Sequence, residues 1–192
     1  MPNIGEKGIL RHIDDPATAI VSATEGTTIC WAESADTSDT HIVRAVAAGK
    51  GVHYAGALHT TDENMVEFCS NNLYFAAQEG HCEIEMLLQL SVVSSAAINF
   101  GFNDDVLDAS NSLPMYLSTT TLAANAGTFV GFVLDPIDAT NDCLHCAWVN
   151  ATVVGQTDSD GRVGGELIKM PGMKMTAAKW LHLRVELDDR GS

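Results

Sequence analysis

The stretch Trp180-Leu181-His182-Leu183-Arg184-Val185-Glu186-Leu187 constrains this chain more than any other. Leu181, Leu183, Val185 and Leu187 fall on one face of an extended backbone, and Trp180, His182, Arg184 and Glu186 fall on the other. Strict period-two alternation is the pattern of a strand with one face on a core and one toward solvent. The following Asp188-Asp189-Arg190-Gly191 reads as an acidic hairpin turn. A hairpin needs a second strand, yet the sequence stops at Ser192. Either a strand has been lost, or the edge is completed by another part of the chain or by another subunit.

The rest of the sequence reads in the same way. Thr28 to Ala32 is a candidate strand, followed by a polar turn from Glu33 to Thr40. His41 to Ala47 and Val52 to Leu58 are strands separated by the hairpin-like break Gly49-Lys50-Gly51. Met65 to Cys69 is a short strand after the loop Thr60 to Asn64, and Leu73 to Ala77 is an apolar run. In Cys82 to Leu90, the residues Ile84, Met86, Leu88 and Leu90 share one face; Glu83, Glu85, Leu87 and Gln89 share the other. Glu, Met and Leu are good helix formers, but the alternation favours a strand. Ala96 to Phe102 places Ile98, Phe100 and Phe102 together. Thr128 to Leu134 is apolar on both faces, as a central strand is. Cys143 to Asn150 is the next strand, with Trp148 as an anchor; Thr152 to Val154 and Lys174 to Thr176 are weaker candidates. No segment carries a long 3.6-residue period. Many short strands at 8–12-residue spacing predict an all-β sandwich or barrel with antiparallel sheets.

A chain of 192 residues, 46% of them apolar, fits one domain with a real core. Residues 1–26, with Gly5, Gly8, Pro16 and Gly26, read as an extended N-terminal arm, and residues 27–192 as the β domain. The formal charge is −15, from 10 Lys and Arg against 25 Asp and Glu. Such a chain lacks the basic face that phosphate binding requires, so nucleic acid is not an expected partner. No apolar run approaches the ~18 residues of a membrane span, and Met1 to Arg11 contain no apolar signal core. The expectation is a protein made and kept in a cytosol, or assembled into a particle there, with its cysteines (Cys30, Cys69, Cys82, Cys143, Cys146) as reduced, buried thiols.

The order of these segments resembles the concanavalin A-like, or laminin G-like, jelly roll, and more narrowly its versions among virion proteins of tailed bacteriophages. The resemblance covers about residues 50–190. It is carried by Val52 to Leu58 before a Thr-Asp-Glu-Asn loop, and by Cys82 to Leu90 after Leu73-Tyr74-Phe75. It continues in Ile98-Asn99-Phe100-Gly101-Phe102-Asn103-Asp104, in Thr128 to Asp135 followed by Asp138-Ala139-Thr140, and in Trp180 to Leu187. The family usually continues past Gly191 into a further strand, and this sequence departs from it there. The resemblance implies an antiparallel two-sheet β-sandwich (jelly roll). It implies a structural virion protein, a capsid decoration or cement protein on the head exterior. Its partners would be the major capsid protein and copies of itself in a homo-oligomer.

Some relatives of this fold hydrolyse glycans with carboxylates at alternate strand positions. Here Glu83 and Glu85 have that spacing, but the next alternate position is Leu87, and the pair reads as a solvated face. Other relatives bind calcium. The loops Asn103-Asp104-Asp105, Asp135 to Asp142 and Asp158-Ser159-Asp160 are acidic, but turn-forming aspartates explain them and none has the spacing of a helix-loop-helix calcium site. Cys143-Leu144-His145-Cys146 looks like half a zinc site, yet there is no second close pair and strand positions i and i+3 point to opposite faces. No Gly-x-Ser-x-Gly elbow or phosphate-cradling loop is present. No catalytic, cofactor or metal residue is therefore assigned. The alternative is a carbohydrate-binding module of a tail fibre or receptor-binding protein, using Trp31, Tyr54, Tyr116 or Trp180 as sugar platforms.

Overall fold

The computed structural model describes residues 3–4, 10–11, 31–35, 42–56, 66–70, 81–94, 96–104, 113–118, 121–134, 144–150, 153–155 and 175–187. Among these the regular elements are all strands, every ladder is antiparallel and there is no helix. The chain divides into two compact units, Met1–Tyr74 with Val106–Ser112 and Phe75–Asp105 with Leu113–Ser192.

The first unit is made of paired strands. The short β1 (Asn3–Ile4) and β2 (Leu10–Arg11) pair with each other within residues 1–26. Strand β3 (Trp31–Ala35) pairs with β6 (Val66–Ser70), and β4 (Ile42–Ala47) with β5 (Gly51–Gly56). The β4–β5 turn closes with the Lys50 amide donating to the Ala47 carbonyl at 3.1 Å. Gly49 and Gly51 sit there at φ +77° and +68°, which side chains resist. Glu33, Ser34 and Ala35, expected in a turn, extend β3 instead. Pairing with β6 satisfies their backbone groups, and that long-range partner overrides local polarity.

The second unit is built on a four-stranded sheet in the order β13-β12-β11-β8. Its strands are β8 (Ile98–Asn103), β11 (Thr128–Leu134), β12 (His145–Asn150) and β13 (Val153–Gly155). As its two-faced apolar pattern predicts, β11 is central, with a strand on each side. Cross-strand rows read off the register explain the Gly-Phe motifs. Phe100, Phe132 and Cys146 form one row, and Gly101, Gly131 and Ala147 the next, on the opposite face. The glycine row brings the β8 and β11 backbones unusually close. A Cβ built on Gly131 would lie 2.1 Å from the Phe100 carbonyl oxygen and 2.9 Å from Gly101 Cα.

Each face of this sheet carries its own core. On one face Phe100, Leu134 and Leu144 are buried with Val93, Met175, Leu183 and Val185. Ile84, Met86 and Leu88 pack there too, so this face is covered by β7 (Cys82–Gln89) and β14 (Trp180–Leu187). These strands pair along their whole length, from Trp180 opposite Gln89 to Leu187 opposite Cys82. The partner of β14 is therefore β7 of the same chain. On the other face Phe129, Val133, Ala147 and Val149 are buried with Met115 and Ala126. There β9 (Met115–Ser118) and β10 (Thr121–Ala124) form a hairpin. Asn99 ties it to β8: its side-chain oxygen accepts from the Met115 amide at 2.8 Å, and its Nδ2 donates to the Met115 carbonyl at 2.9 Å. A side-chain amide thus substitutes for a strand neighbour.

Met175 and Thr176, expected in a strand, lie outside any; Met175 instead buries its side chain in the first core. Leu73 to Ala77 and Lys174 fall outside the described residues.

Candidate functional site

The alternation that buries Ile84, Met86, Leu88, Leu183 and Val185 turns their sequence neighbours outward. The outer face of the β7–β14 ribbon therefore collects His81, Glu83, Glu85 and Leu87 from one strand and Trp180, His182, Arg184 and Glu186 from the other, all exposed. In register, Glu83 is opposite Glu186, Glu85 opposite Arg184, and Leu87 opposite His182. The ion pairs run diagonally. Arg184 donates to Glu83 at 2.9 Å and also contacts Glu186, while His182 bonds Glu85. His81 Nε2 stands 3.6 Å from Glu83. Arg184 thus bridges two carboxylates that face each other across the ladder, an arrangement that is otherwise repulsive.

The electrostatics follow from these contacts. The hydrogen bond from Arg184 holds the Glu83 carboxyl below its usual range, with its charge and that of His81 acting in the same sense. The same bond pushes the Arg184 guanidinium further up. Glu83 is therefore held ionised, the reverse of what a general acid needs. The ligand atoms of His81, Glu83 and Glu186 lie within 4.8 Å of one another. The guanidinium of Arg184 already bonds Glu83 and Glu186, so a cation is built into the cluster.

The other end of the same face is apolar. Trp180 (45% exposed) and Leu87 (60% exposed) are diagonal neighbours, and Val92 is exposed in the segment following β7. Beside them lies an open pocket of about 400 Å³, lined by residues 91–94 and 175–177. Its walls are joined by the Ala178 amide donating to the Leu90 carbonyl at 2.7 Å, and by Gln89 Nε2 donating to the Ala178 carbonyl at 3.0 Å. Ala178 adopts φ +60° to make these contacts.

The structure distributes the other sequence candidates. Asp104 is a backbone cap. Its Oδ1 accepts from the Thr128 amide at 2.9 Å, and its own amide donates to the Thr128 carbonyl at 3.1 Å, which fixes the start of β11. Asp105 and the loops 135–142 and 158–160 lie outside the described residues, as does Cys143. His145 and Cys146 point to opposite faces of the sheet, with His145 buried, so they do not converge. Burial pushes the Cys146 thiol up from its usual pKa. Tyr54 is half-buried against Phe68, with ring centroids 5.5 Å apart. Tyr116 and Trp180 sit on strands covering opposite faces of the central sheet and form no common platform. Trp31 lies in β3 of the first unit. Sequence reasoning misses the ion-pair network. Its signal is Glu83 and Glu85 on one alternating strand against His182, Arg184 and Glu186 on another, legible only once the two are paired.

Compared with models of protein families, with curated proteins and with solved structures, the chain matches none.

Proposed function

We propose that this chain is a structural virion protein of a tailed phage, a capsid decoration or cement protein folded as a two-sheet jelly roll. It binds the major capsid protein and copies of itself on the head exterior. The observation that carries this reading is the outer face of the β7–β14 ribbon. Its carboxylates are engaged by side chains of their own sheet, Glu83 and Glu186 by the Arg184 guanidinium and Glu85 by the His182 imidazole. Such a face is a pre-set pattern of charge for docking against a protein surface, where complementarity sets partner and register. The acidic balance of the whole chain, −15, favours a basic partner surface. Quantitative mass spectrometry of particles from the encoding source tests the reading: many copies per particle support it, and absence or trace amounts refute it.

A second reading has one specific observation in its favour. Trp180 is exposed beside Leu87, with Glu85 and His182 further along the same face, and an aromatic next to polar groups suits a sugar ring. The chain would then be a carbohydrate-binding module of a tail fibre. Glycan-array binding that disappears in Trp180→Ala supports it, and an array without signal removes it.

A further inference from the structure

Strand β14 carries a self-complementary charge pattern, and we infer that its outer edge is an isologous docking site for β14 of a second copy. Among the described residues β14 has a strand on one side only, β7. An antiparallel edge offers a row of backbone donors and acceptors, and a second strand is the ligand that satisfies them. The choice of a second copy as occupant rests on the assembly reading above and on the side chains of the strand itself.

In antiparallel self-pairing, directly opposed residues must share a face. Only a few registers are open, and the outward residues His182, Arg184 and Glu186 discriminate among them. Centring the two-fold on Arg184 sets His182 against Glu186 twice but opposes two guanidiniums at the axis, and centring it on Glu186 opposes two carboxylates. Centring it on Leu183 sets Arg184 against His182. Centring it on Val185 places Arg184 opposite Glu186 of the second copy, twice by symmetry. On the inner side it sets Val185 against Val185 and Leu183 against Leu187, so the apolar face continues across the junction. Opposite charges directly across a ladder stabilise it, and like charges oppose it. The outer edge of β7 lacks this property. Between Cys82 and Gln89 its outward residues are Glu83, Glu85, Leu87 and Gln89, which include no cation. The two edges of the ribbon are therefore not equivalent, and the self-complementary one is β14. Such a contact is isologous and closes at a dimer.

The test is sedimentation velocity of the full chain across a concentration series, in reducing buffer. The wild type is expected to show a reversible monomer–dimer equilibrium. Glu186→Arg sets a second guanidinium against Arg184 at both symmetry-related positions, which weakens dimerisation by about tenfold or more. Within one copy the same change sets an arginine opposite Glu83 in place of a carboxylate, so β7–β14 pairing is kept. Circular dichroism should confirm an unchanged strand spectrum. The double exchange Arg184→Glu with Glu186→Arg, made in a Glu85→Gln background so that the carboxylate introduced at position 184 does not face one on β7, restores opposite charges across the junction and leaves a cation facing Glu83; it is expected to recover the dimer. A wild type that stays monomeric throughout the series overturns the inference, as does a dimer indifferent to Glu186→Arg or one not recovered by the double exchange. Particle binding by a monomeric chain would leave the assembly reading standing while removing this one. A dimer with these charge responses that is absent from particles would do the reverse.

Discussion

Gly131→Ala is the sharpest test of the central sheet. The added methyl would sit 2.1 Å from the Phe100 carbonyl oxygen and 2.9 Å from Gly101 Cα, where real Cβ atoms essentially never come within 3.0 Å. Both obstacles are backbone, so no rotamer change relieves them. The strands must separate by roughly 1 Å, which stretches the flanking N–H···O bonds from ~2.9 Å to ~3.9 Å and breaks them. Two lost ladder bonds at ~0.5–1.5 kcal/mol each, together with overpacking at ~1–3 kcal/mol, give a loss of about 2–6 kcal/mol. That is a large part of the ~5–15 kcal/mol that holds a typical domain together. Urea denaturation followed by tryptophan fluorescence reads it, with Gly127→Ala as the control. At Gly127 the new methyl meets Asp104 Oδ2 at 3.0 Å, which a shift of a few tenths of an ångström relieves while Oδ1 keeps its bond to the Thr128 amide. The control should cost less than about 1 kcal/mol. If Gly131→Ala is as mild as the control, the close approach of β8 and β11 is wrong, and so is the pairing of the two Gly-Phe motifs.

Further outcomes follow from other contacts. Asn99→Ala removes both bonds to the Met115 backbone in a partly buried setting and should cost about 1–3 kcal/mol; Asn99→Asp should cost more, because a carboxylate faces the Met115 carbonyl with no donor, and a denaturation midpoint above that of Asn99→Ala would contradict the bracket. Leu183→Ala empties a fully buried site and should cost about 2–5 kcal/mol, while Leu87→Ala on the outer face should stay within about 0.5 kcal/mol; equal effects would mean the ribbon register is shifted by one residue. The depressed pKa of Glu83 stabilises the folded state fully above the ordinary glutamate value of 4.5, and this stabilisation fades as pH falls through the lower folded value; carboxyl-detected NMR should show Glu83 titrating late, and Arg184→Met should bring it back up. Burial holds the Cys146 thiol protonated, so maleimide labelling at pH 8 should be slow in the folded chain and fast in denaturant.

The legible parts of the sequence are those where a strand's own alternation decides its exposure. Ile84, Met86 and Leu88 against Glu83 and Glu85 orient β7 despite helix-forming residues, because burial of one face outweighs local propensity. The two-sided apolar run from Thr128 to Leu134 marks the central position of β11. Pairing is not legible. The partner of Trp180 to Leu187 lies about a hundred residues earlier, and nothing local in either strand specifies it. The β9–β10 hairpin escapes a sequence reading because its strands are four residues each and its connection has no Asn-Gly or Asp-Gly signal. Glu33 to Ala35 read as a turn because polar residues in a paired strand look like loop until the partner is known. For the candidate site, the residue types are visible from the start. Their diagonal coupling through Arg184 depends on a register that only the folded sheet sets.

The long reach between β7 and β14 also governs how the second unit comes into being. As the chain leaves the ribosome, β7 emerges with Ile84, Met86 and Leu88 ready for burial, but the strand that pairs with it follows only about a hundred residues later. The core beneath the ribbon stays open until Leu183 and Val185 arrive to close it. The nascent unit must therefore carry an unpaired strand and a half-covered apolar face while the residues between β7 and β14 are made. Such a waiting edge is prone to capture by the wrong strand or by a chaperone, so the yield of folded protein hinges on the arrival of the few residues from Trp180 to Leu187.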